Sequence, residues 1–205
     1  MIKISYAITA VNEHVELQRL LENLKQNIRL YYDEVVVQLD ENATEEVKAV
    51  VDECEIIDHI ITFPLNNDFA CFKNNIIDHC TGDYIFSLDA DEYVDPWLLK
   101  NLDSILDTNP EVEMYSVPRI NTVEGLTEEH IMKWGWRVDQ GRVNYPDYQN
   151  RIFRNIPNIK WVNKVHERIT GYKFHTNLPL VDEMSIYHPK DITRQEKQNN
   201  YYETI

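Results

Sequence analysis

Residues 84–92 read YIFSLDADE, an apolar run followed at once by three carboxylates within four positions. A short continuous apolar run predicts a buried strand of a parallel sheet. The strand therefore carries Asp89, Asp91 and Glu92 at its carboxyl end, which is the edge where open α/β sheets bind ligands. Carboxylates this close repel one another, and a hard divalent cation relieves that repulsion. An acidic turn that caps a helix would give the same pattern, so the motif alone leaves both interpretations open.

Strand-like and helical segments alternate around this stretch, a pattern typical of a parallel α/β sheet. The predicted strands are Ile2–Ile8, Val35–Leu39, Ile56–Phe63 and Tyr84–Leu88. Four helices are predicted. The first contains Leu17–Ile28, the second begins after Thr44, the third contains Lys73–His79 and the fourth begins at Asp95–Pro96. Asn12, Thr44 and Asp95 are the expected helix caps.

The pattern becomes less regular after Pro110. The expected elements are strands at Met114–Pro118, Arg151–Arg154 and Trp161–Val165, a functional loop region at Val123–Tyr148, and a polar helix at Asp191–Tyr202 that is either a solvated tail or a lid. The length of 205 residues predicts one domain with its own core.

Charge and glycine content exclude several classes of protein. The net charge is −15, with 11 basic and 29 acidic side chains in residues 1–150 and nine and six in residues 151–205. An acidic chain is a poor general nucleic-acid binder. We expect an anionic ligand to contact mainly residues 151–205, where basic side chains outnumber acidic ones. The five glycines form no phosphate-binding loop of either common spacing.

Cysteine usage and hydropathy indicate the compartment. Cys54, Cys71 and Cys80 are odd in number and lack metal-binding spacing, so we expect reduced thiols. No apolar run approaches the roughly 18 residues of a membrane span. The expected location is therefore cytoplasmic, without a transmembrane segment.

Polar residues follow three of the predicted strands. Residues 9–13 follow the first, Asp40 the second, and Asp89 begins the acidic run described above. The carboxyl ends of parallel strands share one edge of a sheet, so these groups should face one crevice.

Segments in this order resemble family 2 glycosyltransferases of the GT-A fold. Residues 9–13, TAVNE, are similar to that family's opening nucleotide-binding segment, and residues 40–44, DENAT, to its second-strand aspartate and turn. Lys73 and Asn74 resemble its Arg-Asn pair, with Lys in place of Arg, and residues 81–92 resemble its strand and DXD motif. The resemblance runs from residue 2 to about 202, and its later segments are residues 145–154, 165–167 and 186–188. These are similar to a branch that includes lipopolysaccharide-core glucosyltransferases and peptide glycosyltransferases.

The resemblance implies an α/β fold with a Rossmann-like, mostly parallel sheet flanked by helices. Residues 1–110 would form the nucleotide-sugar-binding half, and residues 111–205 a less regular acceptor-binding half and tail. It also implies Asp40 on the uracil or equivalent base, Asp89 on ribose or metal, and Asp91 on an Mn²⁺ or Mg²⁺ ion bridging the donor diphosphate. The donor-binding residues expected on this basis are Thr9, Ala10, Val11, Glu13, Asp40, Lys73 and Asp89. Two cationic side chains are added from their charge and position: Arg151, for the acceptor or the diphosphate, and Arg194, which either closes over the diphosphate or lies on a solvated face.

The remaining catalytic roles follow from the same resemblance and from the chemistry. Displacement at an anomeric carbon needs a general base on the acceptor and charge neutralisation on the departing diphosphate. Glu167 stands where the resemblance implies the base, and Asp147 is the alternative. His188 is expected either as a further metal ligand beside Asp91 and Asp89 or as a phosphate donor.

The function expected from the sequence is inverting, metal-dependent transfer of a hexose from a nucleotide sugar to an acceptor hydroxyl or thiol. The expected hexose is glucose, and the expected donor is UDP-glucose. The acceptor is open among a saccharide, a peptide and a modified nucleobase. The alternative is a non-catalytic nucleotide-sugar or carbohydrate-binding module of the same fold.

Overall fold

The computed structural model describes residues 1–202. The helices are α1 (His14–Asn27), α2 (Glu45–Asp52), α3 (Phe69–Ile77), α4 (Pro96–Thr108), α5 (Glu128–Trp134) and α6 (Ile192–Tyr202). The strands are β1 (Ile4–Ala10), β2 (Glu34–Leu39), β3 (His59–Thr62), β4 (Tyr84–Asp89), β5 (Tyr93–Val94), β6 (Met114–Glu124), β7 (Val138–Asp139), β8 (Arg142–Val143), β9 (Asp147–Arg154), β10 (Lys160–Val162), β11 (Arg168–Thr170), β12 (His175–Asn177) and β13 (Ile186–Asp191).

Within residues 1–202, nine strands form one mostly parallel sheet in the order β3-β2-β1-β4-β9-β6-β13-β5, with β12 also beside β6. The pairs β3/β2, β2/β1 and β1/β4 are parallel, and so are β6/β13 and β6/β12. Strand β9 is antiparallel to both β4 and β6, so β4 and β6 point the same way. The carboxyl ends of β1, β4, β6 and β13 therefore lie along one edge, together with the start of β9. This is the mixed α/β sheet that the sequence predicts.

The first half forms as its pattern indicates. Strands β1, β2 and β4 are almost wholly buried, and α1 turns four leucines into the core at Leu17, Leu20, Leu21 and Leu24. Thr44 caps α2 by accepting a hydrogen bond from the Val47 N–H. Asp95 caps α4, and Pro96 occupies its first turn. Both caps agree with the sequence analysis.

Three local predictions are wrong. The predicted strand Trp161–Val165 ends at Val162, the last residue of β10. Asn12 does not cap α1, because Glu13 is the N-cap residue and its carboxylate instead accepts the N–H groups of Val11 and Asn12 at 2.8 and 3.0 Å. The predicted strand Ile56–Phe63 is shortened to β3. The Val35 N–H donates to the Asp58 side chain at 2.8 Å, so pairing between β2 and β3 begins only at Val36 and His59.

Residues 123–148 are more ordered than the predicted loop. Strand β6 continues to Glu124, α5 follows behind a Thr127 cap, and β7 and β8 form a hairpin. Helix α5 has no buried residue, so its sequence shows no apolar periodicity. That is why hydropathy alone did not reveal it.

One hydrophobic core joins the two halves of the sequence. It contains Tyr6, Leu20 and Phe86 from the first half and Val117 and Ile186 from the second, all essentially inaccessible to solvent. Strands of the second half thus complete the sheet begun by the first, and one edge of that sheet carries residues from both.

A carboxylate fastens the opposite, amino-terminal edge. Glu34 accepts hydrogen bonds from the Ser5 hydroxyl at 2.5 Å, from the Thr81 N–H and hydroxyl at 2.5 and 2.6 Å, and from the Lys3 ammonium at 3.0 Å. Burial alone would raise the Glu34 pKa, but these donors outweigh it and lower the pKa from 4.5 to about 2. The folded protein therefore stabilises the ionised form of Glu34 more than the unfolded chain does.

We expect Glu34→Gln to lower the unfolding free energy by about 1–3 kcal/mol at pH 7. Because the folded pKa is depressed, the stabilisation is complete above pH 4.5 and is lost as the pH falls toward 2. Urea unfolding of both proteins at pH 7 and pH 3 measures the difference. The control is Glu45→Gln, since Glu45 is 86% exposed beside Lys48. A Glu34→Gln deficit of equal size at both pH values would contradict this account.

Candidate active site

A cleft of about 780 Å³ opens along the carboxyl edge of the sheet. Its walls come from the ends of β1, β4, β6 and β13, the start of β9, helices α3 and α6, and the segment before β11. Most of the predicted site residues line it: Thr9, Ala10, Val11, Glu13, Lys73, Asp89, Asp91, Asp147, Arg151, Glu167 and His188. Two predicted donor-binding residues, Asp40 and Arg194, are not among its lining residues.

Asp89 is held between two buried cations. Its Oδ1 lies 3.0 Å from the Lys73 ammonium and its Oδ2 lies 2.5 Å from the Arg151 guanidinium. Burial alone would raise the Asp89 pKa, but the charges of Arg151 and Lys73 hold it well below its usual range. The Arg151 guanidinium also contacts Glu92 at 2.6 Å, and Glu92 is fully buried. Asp89 is thus an ionised group already neutralised by this chain.

Asp91 faces a different set of partners. His188 Nε2 lies 3.1 Å from Asp91 Oδ2, with Lys190 Nζ at 3.7 Å and an Arg194 nitrogen at 3.4 Å from the same oxygen. Burial alone would raise the Asp91 pKa, but the hydrogen bond and charge of His188 and the charge of Lys190 lower it far more. Arg194 also pairs with Glu13 and Glu16, so it anchors α6 to the start of α1.

Of the three predicted metal ligands, Asp91 and His188 lie together and Asp89 does not join them. Two ligand atoms at neighbouring corners of an octahedral ion are about 3 Å apart, so the Asp91 and His188 atoms fit adjacent positions on one ion. Asp89 turns instead toward Lys73 and Arg151. Among residues 1–202, no cluster of three or more His, Cys, Asp or Glu side chains is arranged to hold a metal. The chain therefore offers two protein ligands, and a bound metal would need oxygens from elsewhere.

The two candidate bases have different surroundings. Glu167 Oε1 lies 2.9 Å from the Lys73 ammonium, and the Glu167 side chain is 19% exposed at the cleft wall. Asp147 receives hydrogen bonds from Arg119, Asn121 and Gln149 at 2.9, 2.9 and 2.6 Å. Burial alone would raise the Asp147 pKa, but the Arg119 charge and these hydrogen bonds lower it. A carboxylate held by three donors is a weak proton acceptor, which favours Glu167 as the base.

Asp40 is buried and is not among the residues that line the cleft. It is 5% exposed, and its two oxygens accept the backbone N–H groups of Asn42 and Leu65 at 2.8 and 2.6 Å. Leu65 does line the cleft. Asp40 therefore holds the loop that carries Leu65.

Sequence reasoning missed several residues of the cleft. Arg119 and Asn121 on β6 line it, as do Lys190 on β13 and Trp161 on β10, whose ring lies 4.7 Å below the Lys73 ammonium. The alternation of Arg119, Asn121 and Val123 along one face of β6 was the available signal. Ending the predicted strand at Pro118 concealed it.

No helix within residues 1–202 combines the length and hydropathy needed to span a bilayer.

Comparisons with known proteins identify the family and the fold of the chain. The family model described as glycosyl transferase family 2 matches residues 5–173. The SPbeta prophage-derived glycosyltransferase SunS of Bacillus subtilis is 25% identical over 186 residues, which are 90% of this chain and 39% of that protein. The chain thus spans about two fifths of the length of this curated relative.

Two solved structures share the fold. S. aureus TarS, residues 1–349, superposes with a TM-score of 0.60 at 14% identity, covering 91% of this chain and 60% of that one. The mannosyltransferase PcManGT from Pyrobaculum calidifontis, in complex with GDP-Man and Mn²⁺, superposes with a TM-score of 0.52 at 16% identity, covering 74% and 44%. With the family model matched over most of its length, the chain belongs to glycosyl transferase family 2 and has the GT-A fold.

Proposed function

We propose that this chain catalyses inverting, metal-dependent transfer of a hexose from a UDP-sugar, with UDP-glucose as the expected donor, to an acceptor hydroxyl or thiol. The observation that carries the proposal is the meeting of Asp91 with His188 in the cleft that Glu167 also lines. TarS has been solved with UDP and with UDP-GlcNAc, and PcManGT with GDP-Man and Mn²⁺. Those complexes support a nucleotide-sugar donor and a divalent ion here.

Asp91 and His188 would hold the metal ion, Mn²⁺ or Mg²⁺. When bound, the ion supplies positive charge to the diphosphate that leaves the sugar. One carboxylate and one imidazole would leave coordination positions for phosphate oxygens of the donor and for water, and Mg²⁺ is usually held in that way beside phosphates. Lys190, 3.7 Å from Asp91, adds a fixed positive charge on the same side of the cleft.

Glu167 is the proposed general base. In a single displacement, the acceptor approaches the anomeric carbon from the side opposite the diphosphate, and the base removes the acceptor proton. Lys73 contacts both Glu167 and Asp89, and thereby orients the Glu167 carboxylate. We assign Asp89 to the positioning of Lys73 and Arg151, and Asp40 to the support of the Leu65 loop beside the nucleotide.

A thermal-shift panel tests the donor and the metal. A ligand at about 100 times its Kd stabilises the folded state by about 2.7 kcal/mol, which corresponds to a Tm rise of roughly 5–10 °C for a chain of this size. We expect that rise for UDP-glucose with Mn²⁺, and a much smaller one without the metal. UDP-GlcNAc and GDP-mannose complete the panel, since related structures hold them. Unchanged Tm values throughout would contradict a nucleotide-sugar site.

The alternative is a non-catalytic binding module of the same fold, and a turnover assay distinguishes it from an enzyme. An enzyme releases UDP slowly from UDP-glucose when water replaces the acceptor, whereas a binding module gives the thermal shift without releasing UDP. We expect Mn²⁺-dependent UDP release. A shift without release, also in the presence of candidate saccharide and peptide acceptors, would favour the binding module.

A further inference from the structure

A line of hydrogen-bonded side chains crosses the cleft from Asp147 to Asp91. Asn121 Nδ2 donates to Asp147 Oδ2 at 2.9 Å, and Asn121 Oδ1 lies 2.8 Å from His188 Nδ1. His188 Nε2 then lies 3.1 Å from Asp91 Oδ2. The line joins β9, β6 and β13 to the end of β4, so it links strands far apart in the sequence.

The orientation of the Asn121 amide is set by Asp147. An ionised carboxylate only accepts hydrogen bonds, so it must face the amide NH₂ group of Asn121 and not its oxygen. Arg119 pairs with the same Asp147 oxygen at 2.8 Å, which keeps Asp147 in place as an acceptor. The Asn121 oxygen is thereby directed at His188.

That oxygen fixes the tautomer of His188. An amide oxygen can only accept, so Nδ1 of His188 must carry the proton that it donates to Asn121. In the neutral imidazole, Nε2 then has a bare lone pair, which points at the Asp91 carboxylate. The 3.1 Å contact between these two atoms is joined either by a second proton on Nε2, which makes His188 an imidazolium that donates to Asp91, or by a metal ion in place of that proton. The geometry therefore prepares both atoms as ligands of one positive ion.

We infer that Asn121 is a positioning residue, which holds His188 in the Nδ1–H tautomer so that Nε2 ligates the metal together with Asp91. The inference rests on the proposed function for the identity of the ion, whereas the tautomer follows from the hydrogen bonds of this chain alone. Outer partners of this kind usually change metal affinity by about 10–100-fold when they are removed. Asn121 itself touches neither the metal nor the donor in this account.

The test combines Mn²⁺ affinity with the tautomer of His188. Asn121→Leu removes both hydrogen bonds at similar side-chain size, and Asn121→Ala serves if the larger side chain impairs folding. We expect Mn²⁺ binding to the full chain, measured by calorimetry in the presence of UDP, to weaken about 10–100-fold in either variant. The matched control is Asn101→Leu, because the Asn101 amide donates to the Trp97 carbonyl on α4 and Asn101 does not line the cleft. Its Mn²⁺ affinity should equal that of the wild type.

Nitrogen-15 NMR of histidine-labelled, metal-free protein at pH 9 supplies the second readout, with His188→Gln to assign the signal. We expect the Nδ1–H form of His188 in the wild type and a mixture of tautomers in Asn121→Leu. Unchanged Mn²⁺ affinity in the Asn121 variants, or an Nε2–H tautomer in the wild type, would overturn the inference. A wild type that shows the Nδ1–H form but binds no Mn²⁺ would instead overturn the metal in the proposed function.

Discussion

Glu167→Gln is expected to lower the rate of UDP release and of sugar transfer by about 10²–10⁴-fold, the usual contribution of a general base. A neutral amide cannot take the acceptor proton. Its oxygen can still accept a hydrogen bond from Lys73, which also retains its contact with Asp89. We therefore expect the affinity for UDP-glucose and Mn²⁺, measured by calorimetry, to stay close to that of the wild type. A loss in kcat with unchanged donor binding identifies a group that acts only in the chemical step.

Two further variants complete the Glu167 experiment. Glu45→Gln makes the same change in an exposed carboxylate that pairs with a lysine far from the cleft, and its turnover should match the wild type. Asp147→Asn tests the alternative base. At saturating Mn²⁺ and donor, we expect Asp147→Asn to turn over much faster than Glu167→Gln, because Asp147 is held by three donors and has a lowered pKa. A loss confined to lower Mn²⁺ concentrations would reflect the Asn121 amide, which Asp147 orients. The reverse order of the two rates would move the base to Asp147.

The fold of the first half could be predicted because its strands are apolar on both faces. Strands β1, β2 and β4 read as short hydrophobic runs, and the helices between them have capping residues that do form caps at Thr44 and Asp95. Helix α5 could not be predicted in the same way, since all of its residues are at least partly exposed. Hydropathy reports burial, and an element that buries nothing leaves no periodic signal.

The sequence could predict which residues belong to the site, but not which carboxylate pairs with which cationic side chain. The sequence placed Asp89 and Asp91 at one strand end, where both are found. It could not show that Lys73 and Arg151, 16 and 62 positions away, neutralise Asp89 and leave Asp91 to His188. Which carboxylate meets which cation depends on strand order and side-chain direction. Both are tertiary properties.

Asp40 shows the same limit from another side. Asp40 does follow the end of β2 as predicted, yet its carboxylate accepts a hydrogen bond from the Leu65 N–H of the same chain. A short carboxylate after a strand competes equally well for a nearby loop and for a ligand. Its assigned contact with the nucleotide base stays a prediction, and the structure supports an indirect role through the Leu65 loop.

Asp91→Asn is expected to abolish Mn²⁺-dependent donor binding, with a loss of metal affinity of about 100-fold or more, which exceeds the loss expected for Asn121→Leu. The amide is nearly the same size but is a weaker metal ligand than a carboxylate. It also removes a negative charge that faces His188, Lys190 and Arg194 together. Calorimetry with Mn²⁺ and UDP measures the loss, and turnover should fall with it.

The matched control for Asp91→Asn is Asp89→Asn, two positions earlier in the same motif. Because Asp89 is paired with Lys73 and Arg151, we expect its loss to disturb those cations and to lower the unfolding free energy, with a smaller effect on Mn²⁺ affinity. If Asp89→Asn costs as much metal affinity as Asp91→Asn, then donor binding must turn Asp89 away from its lysine and arginine and toward the ion. If Asp91→Asn binds Mn²⁺ as the wild type does, the pair with His188 is only a salt bridge, and the metal role of both residues is wrong.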